Sequence, residues 1–161
     1  MITINKIEDP IILNLIIAAQ QSTCHRSRCG SIIIKDDNII GIGSNSMPCN
    51  ETGDCFKDTL PKNFKSDKTC CVHAEERAII DALKNHGDKI IGSTLYFLRI
   101  DDKGNPKFSG DPYCSICSKL ALDVGISEFC LYREYGWYRY PTKEYNELTF
   151  KYNPGIRFCR Q

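Results

Sequence analysis

The sequence predicts an α/β domain of three layers, with helices on both faces of a mixed sheet. Three observations predict it. An aspartate–proline pair opens an apolar segment at residues 9–21, two β-branched runs joined by turn residues lie between 32 and 42, and a strand–helix–strand succession runs from 94 to 132. The second implies an antiparallel hairpin and the third a parallel strand pair joined by a crossover, so the sheet has to contain both kinds of ladder. At 161 residues, 42% hydrophobic and 25% charged, the chain has the composition of a globular protein and the length of one domain.

Asp9 and Pro10 have the form of an N-cap and first helical residue, and the helix they open extends to about Gln21. Ile32–Ile34 and Ile39–Ile42, with Asp36, Asp37 and Asn38 between them, read as the hairpin. Ser44 to about Thr69 has no period, and a connection of that length inside a domain is usually functional or disordered. Ala74, Ala78, Ile79, Ala82 and Leu83 then recur at helical spacing from about His73, with Gly87 placed to stop them. Thr94–Ile100 is a strand and 101–110 a polar loop. Asp111 and Pro112 repeat the cap-and-proline pattern ahead of a helical stripe of Ile116, Leu120, Ala121 and Val124, stopped by Gly125; Glu128–Tyr132 follows as a strand. The aromatic residues Tyr135, Trp137, Tyr138, Tyr140 and Tyr145 have no clean period, apart from a short helix from Thr142 to Leu148. They are expected to pack against the sheet or a neighbouring subunit, with Trp137 the one to test for stacking on a substrate base.

Twenty-one basic residues balance twenty acidic ones, which argues against a dedicated nucleic-acid binder. The apolar run at 11–19 is too short to span a bilayer and follows Glu8 and Asp9, where an export signal would have basic residues. The expected compartment is therefore the cytoplasm. There thiols stay reduced, and ten cysteines point to metal ligation or catalysis before disulfides.

Two segments carry chemistry: His73-Ala74-Glu75, and Pro112-Tyr113-Cys114-Ser115-Ile116-Cys117, each at the start of a helix. Cys114 and Cys117 are three apart, so their sulfurs meet on one helical face, and the helix dipole favours the thiolate a metal requires. With His73 they make three zinc ligands. Three protein ligands leave the fourth tetrahedral position open to water, whose pKa zinc lowers to roughly 7. Glu75 is then free to accept and return protons. Two rival readings share these residues. The C-x-x-C could be redox-active, which leaves His73 and Glu75 unexplained, or Cys70 or Cys71 could close the zinc shell and make it structural.

H-x-E followed by P-C-x-x-C is the signature of the zinc nucleobase deaminases, and the chain resembles that superfamily, most nearly its deoxycytidylate deaminases. Tyr113 stands where the family usually has the proline. The resemblance runs in order from the first helix to the last strand and implies a cytidine deaminase-like fold, a homo-oligomer, and hydrolysis of a cytosine nucleotide or nucleoside, of the dCMP or CMP type, to the uracil compound and ammonia. Glu75 would be the acid–base residue and His73, Cys114 and Cys117 the metal ligands. Gly41 to Pro48 is similar to the family segment in which an asparagine contacts the sugar, so Asn45 becomes a candidate substrate contact, with Ala74 beside it and Arg26 and Arg28 as candidate phosphate ligands. Some deoxycytidylate deaminases carry a second, structural zinc, for which Cys24, Cys49, Cys55 and Cys71 are the candidates here, Cys71 first. The alternatives are a deaminase of bases within RNA or DNA, such as a tRNA adenosine deaminase, and a zinc-stabilised interaction module without turnover.

Overall fold

The computed structural model describes residues 9–61 and 71–152. Asp9 caps the first helix, α1 (Pro10–Gln20), its carboxylate accepting from the Ile11 N–H at 2.9 Å. The hairpin follows as β1 (Arg28–Lys35) and β2 (Asn38–Ser44). Asp36 and Asp37 both have positive φ, as a two-residue turn matched to the twist of the strands demands. Next come α2 (Ala74–His86), β3 (Thr94–Ile100), the two-residue β4 (Pro106–Lys107), α3 (Ser115–Asp123), β5 (Glu128–Arg133), β6 (Gly136–Pro141) and α4 (Thr142–Phe150).

The strand order is β2-β1-β3-β5-β6, with β4 paired to β3. Only β3 and β5 are parallel; every other ladder is antiparallel. The pleat sorts the core. Ile33, Leu95, Phe129 and Leu131 face Ala78, Ile79 and Ala121 of α2 and α3, while Ile32, Tyr96, Leu98 and Cys130 face Leu15 and Ala19 of α1. The layers are therefore α1, the sheet, and α2 with α3 and α4, as the sequence predicts.

Two elements differ from expectation. The third helix starts at Ser115, because the Cys114 sulfur takes the N-cap and accepts from the Cys117 N–H at 3.4 Å; Asp111 instead pairs with Arg133 at 2.8 Å. The unperiodic aromatics include a strand, β6, with both faces covered. Trp137 packs edge-on to Tyr96 and Tyr132 and donates to Asp9 at 3.1 Å, whereas Tyr138 and Tyr140 face the α4 side.

Close approach of α2 to the hairpin sets the site. A Cβ at Gly43 would lie 2.2 Å from the Ala74 carbonyl oxygen, and one at Gly41 would lie 2.3 Å from that of Ala78. Two glycines on β2 thus let the first turns of α2 rest directly on strand backbone, which seats His73 and Glu75.

Candidate active site

His73 is the N-cap of α2, and its own N–H donates to the Glu76 carboxylate at 2.9 Å. That bond leaves the imidazole free to reach α3. His73 Nδ1 lies 3.2 Å from Cys117 Sγ and 3.4 Å from Cys114 Sγ, and the three donor atoms all lie within 4.8 Å of one another. A tetrahedral zinc, with Zn–N near 2.0–2.1 Å and Zn–S near 2.3 Å, has nitrogen–sulfur edges of about 3.6 Å. The observed separations are a few tenths of an ångström shorter, so the donor set fits zinc in both chemistry and spacing.

The three donors share protons unevenly. A hydrogen bond with Cys117, backed by His73, holds the Cys114 thiol down to about 4; the same contact with Cys114 raises Cys117 far above the thiol range. The hydrogen bond to Cys114 also raises His73 to about 9. One thiolate is thus already favoured where a metal needs it. Glu75, in the first turn of α2, is 6% exposed, and burial pushes its carboxyl up to about 7. A carboxyl held near neutrality can both accept and release a proton at working pH.

With Cys117 fully buried behind them, His73, Glu75 and Cys114 line a cavity of about 470 Å³, within the range typical of small-molecule sites. Of the candidate substrate contacts, Ala74 and Asn45 line it. Asn45 also braces the loop after α1: its Oδ1 accepts from the Cys29 N–H at 2.8 Å and the Ser22 hydroxyl at 2.7 Å, and its Nδ2 donates to the Ser27 carbonyl at 2.7 Å. Arg26 and Arg28 are not in the lining. Arg26 is exposed and pairs with Asp58 at 2.7 Å. Arg28 alternates with the lining residue Cys29 and donates to the Asp101 carbonyl at 2.8 Å.

Among the described residues, His73, Cys114 and Cys117 are the one cluster of three potential ligands. Cys24, Cys49, Cys55 and Cys71 do not converge into a second one. Cys70 and Cys159 lie outside the described residues, so this geometry does not test the rival in which Cys70 closes the shell; Cys71 does not join the cluster.

The sequence did not point to several other walls of the cavity: Cys29, Lys57, Phe97, Arg99, Ser109, Asp111, Tyr145 and Tyr152. Tyr145 of α4 stacks on Phe129 at 3.9 Å between ring centres. Cys29 and Arg99 could have been suspected only by aligning β1 with β3, where they are direct neighbours.

Residues 9–133 match the cytidine and deoxycytidylate deaminase zinc-binding region. The chain is 32% identical over 121 residues to a deoxycytidylate deaminase of Mycobacterium phage D29, covering 68% of this chain and 80% of that one. It is 29% identical over 124 residues to the deoxycytidylate deaminase of Saccharomyces cerevisiae, covering 74% of this chain and 35% of the yeast protein. It also aligns with the dCMP deaminase of cyanophage S-TIM5 solved with dCMP and dUMP, at 22% identity and a TM-score of 0.49, over 70% of this chain and 71% of that one. With a histidine–cysteine–cysteine cluster that fits zinc and a buried glutamate in the segment matched, the chain belongs to the zinc-dependent cytidine and deoxycytidylate deaminase family.

Proposed function

We propose that this protein, acting as a single domain, deaminates 2′-deoxycytidine 5′-monophosphate to the uracil nucleotide. The observation that carries the reading is the buried Glu75 carboxyl in one cavity with the donors His73 and Cys114, the fully buried Cys117 completing their cluster from behind the wall. Those three residues would hold zinc, which supplies the Lewis acidity that makes water nucleophilic at neutral pH.

Glu75 takes a proton from the attacking water on its carboxylate oxygen, passes it to the ring nitrogen beside the reacting carbon, and assists protonation of the departing amine. Its burial suits this work, since a carboxyl near 7 loses little free energy in either direction of transfer. Ala74, with no exposed surface, and Leu131 give the base an apolar wall that excludes bulk water. The aromatic pair Tyr113 and Tyr152, 4.7 Å between ring centres, flanks the same cavity.

A homo-oligomer is part of the proposal. Ile17, Ile42, Ile80 and Leu83 are large apolar side chains left exposed on α1, β2 and α2, the kind of surface a subunit contact covers. Among the described residues no helix is long and apolar enough to cross a membrane. The reduced thiols that the ligand set requires favour the cytoplasm.

The test is ammonia release by zinc-loaded protein from a panel of nucleosides and nucleotides, with Glu75→Gln in parallel. Turnover of a cytosine compound by the wild type, lost at least a hundredfold in a variant that retains zinc, is the expected result. Equal rates in the two proteins would remove Glu75 from the reaction.

A further inference from the structure

The pleat of β3 puts Leu95, Phe97 and Arg99 on one face. Leu95 is in the core beneath α2, Phe97 packs on that core and lines the cavity, and Arg99 lines it one step nearer the strand's end. Arg99 has two lateral neighbours, Cys29 on β1, which also lines the cavity, and Lys107 on β4. Residues directly opposite across a ladder share a face, so Arg99 and Lys107 set two positive charges side by side.

Such a pair repels unless something negative joins it. Among the described residues neither Arg99 nor Lys107 makes an ion pair, and neither does Lys57, which shares the cavity lining with Arg99. Two carboxyl groups line the cavity: Glu75, beside His73 and Cys114, and Asp111, which is taken by Arg133 at 2.8 Å. Arg99 Nη2 donates to the Phe108 carbonyl at 2.6 Å, while its Nε is shielded from solvent and lacks a hydrogen-bond partner among the described residues. The guanidinium is therefore fixed in place by one bond and otherwise unspent. An arginine held this way on a cavity wall suits the planar, two-point recognition of a phosphate.

We propose that Arg99, with Lys107 beside it on β4 and Lys57 in the same cavity lining, binds the 5′-phosphate of the substrate and sets the preference for nucleotide over nucleoside. The inference rests on the cytosine-deaminase reading of the cavity. It assigns to the end of β3 and its neighbour β4, with Lys57, the role that the resemblance gave to Arg26 and Arg28.

The experiment compares zinc-loaded wild type, Arg99→Met and Arg99→Lys, measuring kcat and KM with dCMP and with deoxycytidine. Wild type should prefer dCMP. Arg99→Met should lower that preference at least tenfold, chiefly through KM for dCMP, and Arg99→Lys should lower it severalfold, keeping the charge but losing the fork. A purely structural role would depress both substrates together and leave the preference unchanged, which would overturn the proposal. So would a wild type without preference, or, if Arg99→Met does not fold, an Arg99→Lys protein with wild-type KM for dCMP. If wild type deaminates neither compound, the deaminase reading fails separately, and calorimetric binding of dUMP and deoxyuridine to the same proteins decides the anion assignment. Tight binding of dUMP alone, weakened at least tenfold by Arg99→Met, upholds it; no wild-type discrimination between the two ligands overturns it.

Discussion

Replacing Gly43 by alanine puts the account of how the site is seated under direct strain. The new methyl would meet the Ala74 carbonyl oxygen at 2.2 Å, the Ala78 nitrogen at 2.4 Å and the Arg77 Cβ at 2.8 Å. Two of these three are backbone atoms, so no side-chain rotation relieves the clash. Ordinary contact begins near 3.4 Å, which leaves a shortfall of about 1.2 Å for the first turn of α2 to absorb by lifting off β2. Overpacking of this kind costs about 1–3 kcal/mol of stability. The larger effect falls on function. His73 caps that turn and lies only 3.2 and 3.4 Å from the two sulfurs, so a displacement near 1 Å spoils the ligand triangle and costs roughly 100-fold in turnover.

The assays are denaturant unfolding, zinc affinity against a competing chelator, and kcat. Gly41→Ala is the control: its clash is with Ala78 and Ala82, one turn further along α2. It should cost similar stability but less zinc affinity. If Gly43→Ala keeps wild-type zinc affinity and stability, the contact between β2 and α2 does not position the site and the reasoning fails.

Other predictions concern side chains with contrasting surroundings. Trp137→Phe should lower stability by about 1–2 kcal/mol, through loss of the hydrogen bond to Asp9 and part of the edge contacts. It should leave KM unchanged, since Trp137 packs on the α1 side; a raised KM would make it a substrate contact. Burial pushes the Cys29 thiol up to about 12, so at pH 8 only about one molecule in ten thousand carries the reactive thiolate. Cys29 should therefore resist iodoacetamide while exposed Cys49 reacts, and its labelling rate should rise about tenfold per pH unit. Equal labelling of the two at pH 8 would refute the burial of Cys29. Removing zinc with a chelator should expose Cys114, whose sulfur its neighbours hold at about 4, to rapid alkylation. Unchanged labelling of Cys114 would mean that it is not a ligand.

The chemistry was legible because it is local. His73-Ala74-Glu75 and Cys114-x-x-Cys117 each occupy a single helix turn, and ligand spacing within a turn is fixed by helical geometry. The layers were legible because β1, β3 and β5, covered on both faces, read as short continuous apolar runs bounded by turn residues. The rest depended on distant contacts. β6 has no readable period because Trp137 meets α1-side residues while Tyr138 and Tyr140 meet the opposite core. β4 is two residues long, too short to leave a pattern, so the loop at 101–110 concealed the strand that brings Lys107 beside Arg99. The start of α3 was misplaced because Asp111 has a partner in Arg133 that spacing cannot reveal. Arg26 looked available only because Asp58, thirty-two residues later, was not known to be its partner.

Zinc K-edge absorption on the loaded protein tests the ligand set most directly. Two sulfurs near 2.3 Å and two nitrogen or oxygen neighbours near 2.0–2.1 Å are expected, from Cys114, Cys117, His73 and a solvent oxygen. A shell of three or four sulfurs would mean that another cysteine completes the site, and an ion sealed in that way could not serve the reaction assigned to Glu75.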